Sequence, residues 1–420
     1  MNGLIIFRKK TKFERSPWFY VGPAFLVSVG YMDPGNWATS LEAGSRFGYD
    51  LLWVVTLSSA IAVLVQMLAA KLGIATEYDL AQMMHKRYSA RVSKFLFITT
   101  AIAMMATDLA EFLGVAVALN LLFGIPLLIA VFLTVFDVLL ILWLERYGYR
   151  WVEMVIIAFV ATIGLSYIIE IFWAQPDLLQ MAYSAFVPNA TIFDTTALFI
   201  AIGILGATVM PHNLYLHSAQ VKTRLLNNGD PKARIYKWAV VDTASALGAA
   251  WLVNGAILVM ASAAFHEAGL LITDIDQAYL TLAPLLGKAA ALTFAIALLA
   301  SGISSSTTGT LAGQVVFMGF LDLPRVNPVV IRLGTRLLTI IPAVVAILLT
   351  ARPLSLLVLS QVVLSMQLPF SLIPLVHFTS DPDLMGELVN SPWLKILAWL
   401  TVGFIVVLNL VLLMFAAFGV

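Results

Sequence analysis

Eleven stretches of this 420-residue chain are each apolar for about 20 residues or more, and that repetition limits the possible folds more than any other feature. They run roughly 18–41, 50–73, 94–121, 125–144, 152–173, 196–218, 238–264, 283–305, 331–350, 354–376 and 393–416. Each is long enough to cross a hydrocarbon core of about 30 Å as a helix. The runs are too long, and alternate too rarely, to be barrel strands of about ten residues. The chain therefore reads as an all-α polytopic membrane protein. Its charge content agrees: 11% of residues are charged, less than half the roughly 25% of a soluble domain. That excludes a soluble enzyme, a disordered chain and a free nucleic-acid binder. With no cysteine, disulfides, thiolate nucleophiles and cysteine zinc sites are excluded as well.

The basic residues predict the orientation. With the N-terminus in the cytoplasm, 21 of the 24 Lys and Arg fall on the inner side, and only Arg46, Lys288 and Arg352 fall outside. An odd number of spans then puts Val420 outside. The first apolar run is interrupted and then resumes, with no small-residue cleavage pattern, so a cleavable signal peptide is not expected. No linker or large extramembrane segment divides the chain, and we read 1–420 as one transmembrane domain.

Two spans are broken in their middles. The first contains Asp33-Pro34-Gly35-Asn36 and the sixth contains Met210-Pro211-His212-Asn213. Proline lacks an N–H and clashes with the carbonyl four residues earlier. Each break thus frees carbonyls at bilayer depth, where they persist only against protein, water or a ligand. Span one opens a first set of five helices and span six a second, inverted set. Paired breaks at matching places point to an inverted-repeat transporter whose site lies at the breaks. The donors there are the Asp33 carboxylate, the Asn36 amide, backbone carbonyl oxygen near Ala207 and the Met210 thioether. A methionine on an apolar helix is ordinarily core filler. Beside Pro211, in a break facing Asp33, it reads instead as a soft donor suited to a transition metal rather than to Ca²⁺ or Mg²⁺.

At these residues the chain resembles the Nramp family of divalent metal–proton symporters. Asp33-Pro34-Gly35-Asn36 is similar to the family's first-helix motif, and Met210-Pro211-His212 to its sixth-helix motif. Asp108-Leu109-Ala110-Glu111, the stretch from Thr308 to Gln314 and the stretch from Gln361 to Phe370 match further motifs in the same order. The resemblance implies a LeuT-like 5+5 inverted repeat with one extra helix, eleven in all, with helices 1 and 6 broken. Repeat one would cover about 18–173, repeat two about 196–376 and the extra helix about 393–416. It implies import of Mn²⁺ or Fe²⁺, with Cd²⁺, Co²⁺ or Zn²⁺ tolerated, driven by proton entry through alternating access. Asp33, Asn36, the Ala207 carbonyl and Met210 become metal ligands, joined by Gln361 in some states. Protons would pass from Asp33 toward Asp108, with His212, Glu111 and Arg336 nearby. The expected partners are the metal ion, protons and the bilayer, with no nucleic acid, no permanently bound cofactor and a monomer as the working unit. The expected location is the bacterial inner (plasma) membrane. The magnesium-transporting relatives lack the methionine.

Other buried polar residues fit this expectation or stand apart from it. An Asp at the centre of a membrane helix costs about 2.5–3.5 kcal/mol on insertion scales, so Asp33, Asp108 and Glu111 should face the interior and have a use. Asp108 and Glu111 share one helical face, and two carboxyls held close do not readily both ionise, which suits a proton relay. His212 lies beside the site, and His217 lies five residues further along. Asp137 and Asn254 are expected only to hydrogen-bond between helices. Gly309-x-x-x-Gly313 signals close helix packing. Of the rival classes, a metalloprotease fails because Phe265-His266-Glu267-Ala268-Gly269 lacks a second histidine, and no Walker loop is present. The chain is not expected to be an enzyme. A channel would need weak multi-site binding and an open pore rather than one compact mixed-donor site. A sodium-coupled amino-acid transporter of the same fold and a Mg²⁺-transporting relative remain as alternatives.

Overall fold

The structure, a computed structural model, describes residues 19–134, 136, 143, 149–225, 229–322, 327–349 and 352–418. Among the described residues every regular element is helical. Asp137, Val420 and the basic residues Arg8, Lys9, Lys10, Lys12, Arg15, Arg146 and Arg325 lie outside them, as does the side chain of Arg150. Nine helices among the described residues are long and apolar enough to cross a membrane. The first expected span is divided, and the fourth is described only over Leu127–Thr134 before it leaves the described residues.

The first span comprises α1 (Pro23–Ser28), a 3-10 turn (Gly30–Met32) and α2 (Pro34–Phe47). After α3 (Leu52–Thr76), the short α4 (Leu80–Arg87) starts on a reciprocal capping box between Asp79 and Gln82. Then follow α5 (Ala90–Phe123), α6 (Leu127–Thr134), α7 (Tyr149–Ala174) and α8 (Leu178–Phe186). The sixth span is α9 (Thr195–Val209) and α10 (Pro211–Gln220). The rest is α11 (Lys232–Ala261), α12 (Ile275–Leu286), α13 (Lys288–Leu321), α14 (Pro328–Leu349), α15 (Pro353–Thr379), α16 (Pro382–Met385) and α17 (Pro392–Phe418).

Two boundaries differ from the sequence reading. The eighth run, expected at 283–305, is the longer helix α13 starting at Lys288, and Pro284 belongs to the separate α12. Gly287 between them sits at φ 98°, a turn that glycine allows without steric cost. The sixth span stays helical through Ala207 to Val209, so its break is confined to Met210.

Burial places the two broken spans at the centre. The most apolar window of the sixth span is 94% buried, against 28% for the fifth and 33% for the last. The exposed faces of α7 and α17, with Leu165, Ile168, Leu400 and Leu413, are apolar, as a lipid-facing surface requires. The most extensive packing joins α5 to α13, α9 to α15 and α3 to α11. Small residues permit it. Gly302 faces Val115, Gly309 faces Glu111, and Gly313 faces Met104, so the Gly309-x-x-x-Gly313 stripe is used inside the chain. Hydroxyls of Ser304, Ser305, Thr307, Thr308 and Thr310 bond back to carbonyls of their own helix, which satisfies them in an apolar setting.

Candidate metal site and buried carboxyl cluster

Each half of the site is created by a proline. Pro34 occupies the first position of α2, where its missing N–H costs nothing. Asp33, in extended conformation, is the N-cap: its Oδ1 accepts from the Asn36 backbone N at 2.8 Å. The same oxygen accepts from Asn36 Nδ2 at 2.7 Å, while Oδ2 has no hydrogen-bond partner. In the sixth span the N–H that would bond the Ala207 carbonyl belongs to residue 211, a proline. That carbonyl instead accepts from Asn36 Nδ2 at 2.9 Å, 171 residues away in sequence. Asp33, Asn36 and Ala207 are thereby joined by direct hydrogen bonds.

Met210 carries the break itself, at φ 24° and ψ 105°. For a residue with a β-carbon such a conformation costs about 1–3 kcal/mol and persists only where the surroundings impose it. Its sulfur accepts from Asn213 Nδ2 at 3.6 Å and is fully buried. Gln361 of α15 lies against both broken spans. A β-carbon on Gly35 would fall 2.0 Å from Gln361 Nε2, and one on Gly206 would fall 1.9 Å from the Gln361 carbonyl oxygen. Gln361 Nε2 donates to Ser360 Oγ at 2.9 Å, and its Oε1 is unpartnered.

The expected proton-route residues form a second group. Arg336 of α14 donates to Asp108 Oδ1 at 2.7 Å and to Glu111 Oε2 at 3.2 Å, and its guanidinium lies 4.3 Å from the Phe112 ring centroid. All three charged side chains are buried. Arg336 is therefore a bridging cation between the two acids, not a snorkelling surface residue. His212 Nδ1 is 3.2 Å from the Thr107 hydroxyl, one residue before Asp108. His217 stands apart, 2.9 Å from Gln66, whose amide donates to the Tyr31 hydroxyl at 2.6 Å.

Of the residues around the site, Asn254 makes the interhelical hydrogen bonds expected of it, and makes them to the site itself, whereas Ser301 is not singled out by the sequence. Asn254 Nδ2, from α11, donates to the Tyr31 carbonyl at 2.7 Å and to Asn36 Oδ1 at 3.2 Å. Ser301 of α13 donates its hydroxyl to the Met32 carbonyl. Both satisfy carbonyls of the interrupted stretch, a pairing that nothing in their own sequence neighbourhoods specifies. Among the described residues no group of three His, Asp or Glu surrounds Asp33. The arrangement therefore offers one carboxylate, amide and carbonyl oxygens and one thioether. Such a mixed set suits a cation that must leave as well as bind.

Two interrupted helices crossing at the centre of an all-helical, lipid-faced bundle define a transporter of the inverted-repeat class. Similar chain paths occur in Mhp1, a nucleobase-cation-symport-1 family transporter (TM-score 0.60, 15% identity, 95% of this chain and 91% of that one), and in MhsT (TM-score 0.62, 15% identity, 92% and 98%). Residues 24–415 match the profile of the Nramp family, natural resistance-associated macrophage protein-like, and the chain belongs to that family. The divalent metal cation transporter MntH of Listeria innocua is 48% identical over 421 residues, covering 99% of this chain and 94% of that protein. MntH of a Nostoc species is 49% identical over 412 residues, covering 97% and 93%. The manganese transporter of Eremococcus coleocola, solved with an aromatic bis-isothiourea compound, superposes with a TM-score of 0.86 at 38% identity, covering 96% of this chain and 88% of that one. These relatives are transporters rather than enzymes.

Proposed function

We propose that this protein imports divalent transition-metal ions, Mn²⁺ and Fe²⁺ foremost with Cd²⁺, Co²⁺ and Zn²⁺ tolerated, together with protons and by alternating access. The observation that carries the reading is the meeting of Asp33, Asn36 and the Pro211-freed Ala207 carbonyl, with Met210 at the break. Asp33, Asn36, Ala207 and Met210 ligate the ion, and Gln361 joins them as the site closes. Several acceptors here are buried and unpartnered, among them Asp33 Oδ2 and Gln361 Oε1. An unmet buried acceptor costs about 1–3 kcal/mol, so a cation that satisfies them is favoured. The family membership and the MntH and manganese-transporter relatives support the same substrate class.

The thioether supplies selectivity, because Ca²⁺ and Mg²⁺ take only oxygen donors. It also argues against a magnesium-transporting function. A sodium-coupled amino-acid transporter has no use for a sulfur donor, and a substrate carboxylate would be repelled by Asp33. Protons move by a separate route, from Asp33 past His212 toward Asp108, Glu111 and Arg336. Rocking of the broken helices against the rest of the bundle alternates the access. The basic bias places the N-terminus in the cytoplasm and the C-terminus outside the plasma membrane. The working unit is a monomer with no permanently bound cofactor.

The test is Mn²⁺ uptake into proteoliposomes with a pH dye inside, against a Ca²⁺ and Mg²⁺ competition series. Saturable Mn²⁺ entry accompanied by internal acidification, resistant to Ca²⁺ and Mg²⁺ and lost in Asp33→Ala, is expected. Manganese entry indifferent to Asp33 would sink the site, and entry without acidification would sink the coupling.

A further inference from the structure

The orientation of one amide sets a requirement on the metal step. Asn36 Nδ2 lies between two oxygens, 2.7 Å from Asp33 Oδ1 and 2.9 Å from the Ala207 carbonyl. That orientation is dictated: an amide oxygen in the same place would face two acceptors at contact distance with no hydrogen between them. A cation held by those same oxygens reverses the demand, since it needs the Asn36 oxygen and repels the NH₂ group. Ligation by Asn36 therefore requires its amide to turn over.

What lies behind Asn36 determines whether it can turn. Its Oδ1 accepts from Asn254 Nδ2 at 3.2 Å, and the same Asn254 nitrogen donates to the Tyr31 carbonyl at 2.7 Å. Once Asn36 turns, two NH₂ groups would face each other unless Asn254 offers an oxygen. It has one to offer: Asn254 Oδ1 is buried and without a hydrogen-bond partner. Turning Asn254, however, aims that oxygen toward the Tyr31 carbonyl and gives up the hydrogen bond that ties α11 to the interrupted first span.

We propose that Asn254 is a positioning residue whose amide turns in concert with that of Asn36, holding it in the non-ligating orientation or, after turning, in the ligating one. Metal capture thereby releases the hold of α11 on the Tyr31 carbonyl, which gives the ion leverage on the first broken helix. This rests on Asn36 being a metal ligand. Asn254 does not itself touch the ion.

The experiment is isothermal titration of Mn²⁺ into the purified full-length protein in detergent, in a double-mutant cycle between positions 36 and 254. Asn254→Asp offers only acceptors in its ionised form and so presets Asn36 for ligation, which is why the titration is repeated up to about pH 9, since burial opposes ionisation. We expect it to tighten Mn²⁺ binding about tenfold more when Asn36 is present than in the Asn36→Ala background. The added negative charge acts in both backgrounds and cancels in the cycle. An equal fold-change in both overturns the proposal. Asn254→Leu, branched like asparagine but without polar atoms, is the second variant: it has no hydrogen bond to the Tyr31 carbonyl to give up when Asn36 turns, so the loss caused by Asn36→Ala should grow, and an unchanged loss also overturns the proposal. If Asn36→Ala alone leaves Mn²⁺ affinity unaltered, the assignment of Asn36 as a ligand fails, and the inference fails with it. That outcome is distinct from a ligating Asn36 that is uncoupled from Asn254.

Discussion

Gly206→Ala and Gly35→Ala add the same methyl group on either side of Gln361, and the structure predicts different consequences. At Gly206 the new β-carbon would meet the Gln361 carbonyl oxygen at 1.9 Å and the Ser365 nitrogen at 2.8 Å, both backbone atoms. Ordinary contact begins at 3.4 Å, so α9 and α15 must separate by about 3.4 − 1.9 = 1.5 Å at one of their closest approaches. Overpacking a well-packed core costs about 1–3 kcal/mol, and here the upper end applies because no rotamer change relieves a backbone clash. At Gly35 the nearest atoms are Nε2, Cδ and Cγ of the Gln361 side chain, at 2.0, 2.3 and 2.9 Å. Rotation of that side chain removes the clash at lower cost, but it carries the Gln361 amide away from the first broken span. Melting in detergent, followed by tryptophan fluorescence, should rank Gly206→Ala below Gly35→Ala, with wild type highest. Mn²⁺ affinity should fall in both. For Gly35→Ala the fall should match that of Gln361→Ala, and the double variant should be no worse than either single one. A Gly206→Ala protein that melts and transports like wild type would refute the close approach. Additive losses in Gly35→Ala/Gln361→Ala would refute the displacement of Gln361.

Three further outcomes follow from the site and its neighbours. Met210→Ala keeps Mn²⁺ uptake but lets Ca²⁺ or Mg²⁺ compete, and unchanged rejection of Ca²⁺ in the competition series would remove the thioether as the selectivity element. Asp108→Asn still binds Mn²⁺ by titration while proton entry, read by the internal dye, falls; undiminished acidification would exclude Asp108 from the proton route. Arg336→Met leaves two buried carboxyls without their bridging cation, which costs about 3–5 kcal/mol. Its melting temperature should fall sharply and recover in part when Asp108→Asn and Glu111→Gln are added, and a wild-type melting temperature in the single variant would show that the cluster is not held by charge.

The features that could be read along the chain are those governed by local rules. Pro34 and Pro211 break helices wherever they sit in an apolar run, because the missing N–H and the ring clash are covalent facts. Asp33 caps the helix that Pro34 begins, and the loss of a donor at residue 211 identifies the Ala207 carbonyl by counting four residues back. The length and apolarity of the runs likewise determined a helical bundle in lipid, because backbone groups there must be satisfied internally. The eighth span was misplaced where two helices meet at Gly287, since apolar composition continues across that turn.

Relations between helices were decided only by the packed structure. Arg336 lies 228 residues from Asp108, and no periodicity within either helix pairs them. Asn254 reads in sequence as an interhelical hydrogen-bond partner, but that its partners are Asn36 and the Tyr31 carbonyl is decided by packing. The close seating of Gln361 on Gly35 and Gly206 likewise arises where three helices cross. The sequence by itself determined where the chain breaks and which donors stand at each break, because a proline and a cap act on residues three or four positions away. The tertiary structure decided which way each donor points, because an amide's orientation is set by acceptors contributed from distant segments of the chain.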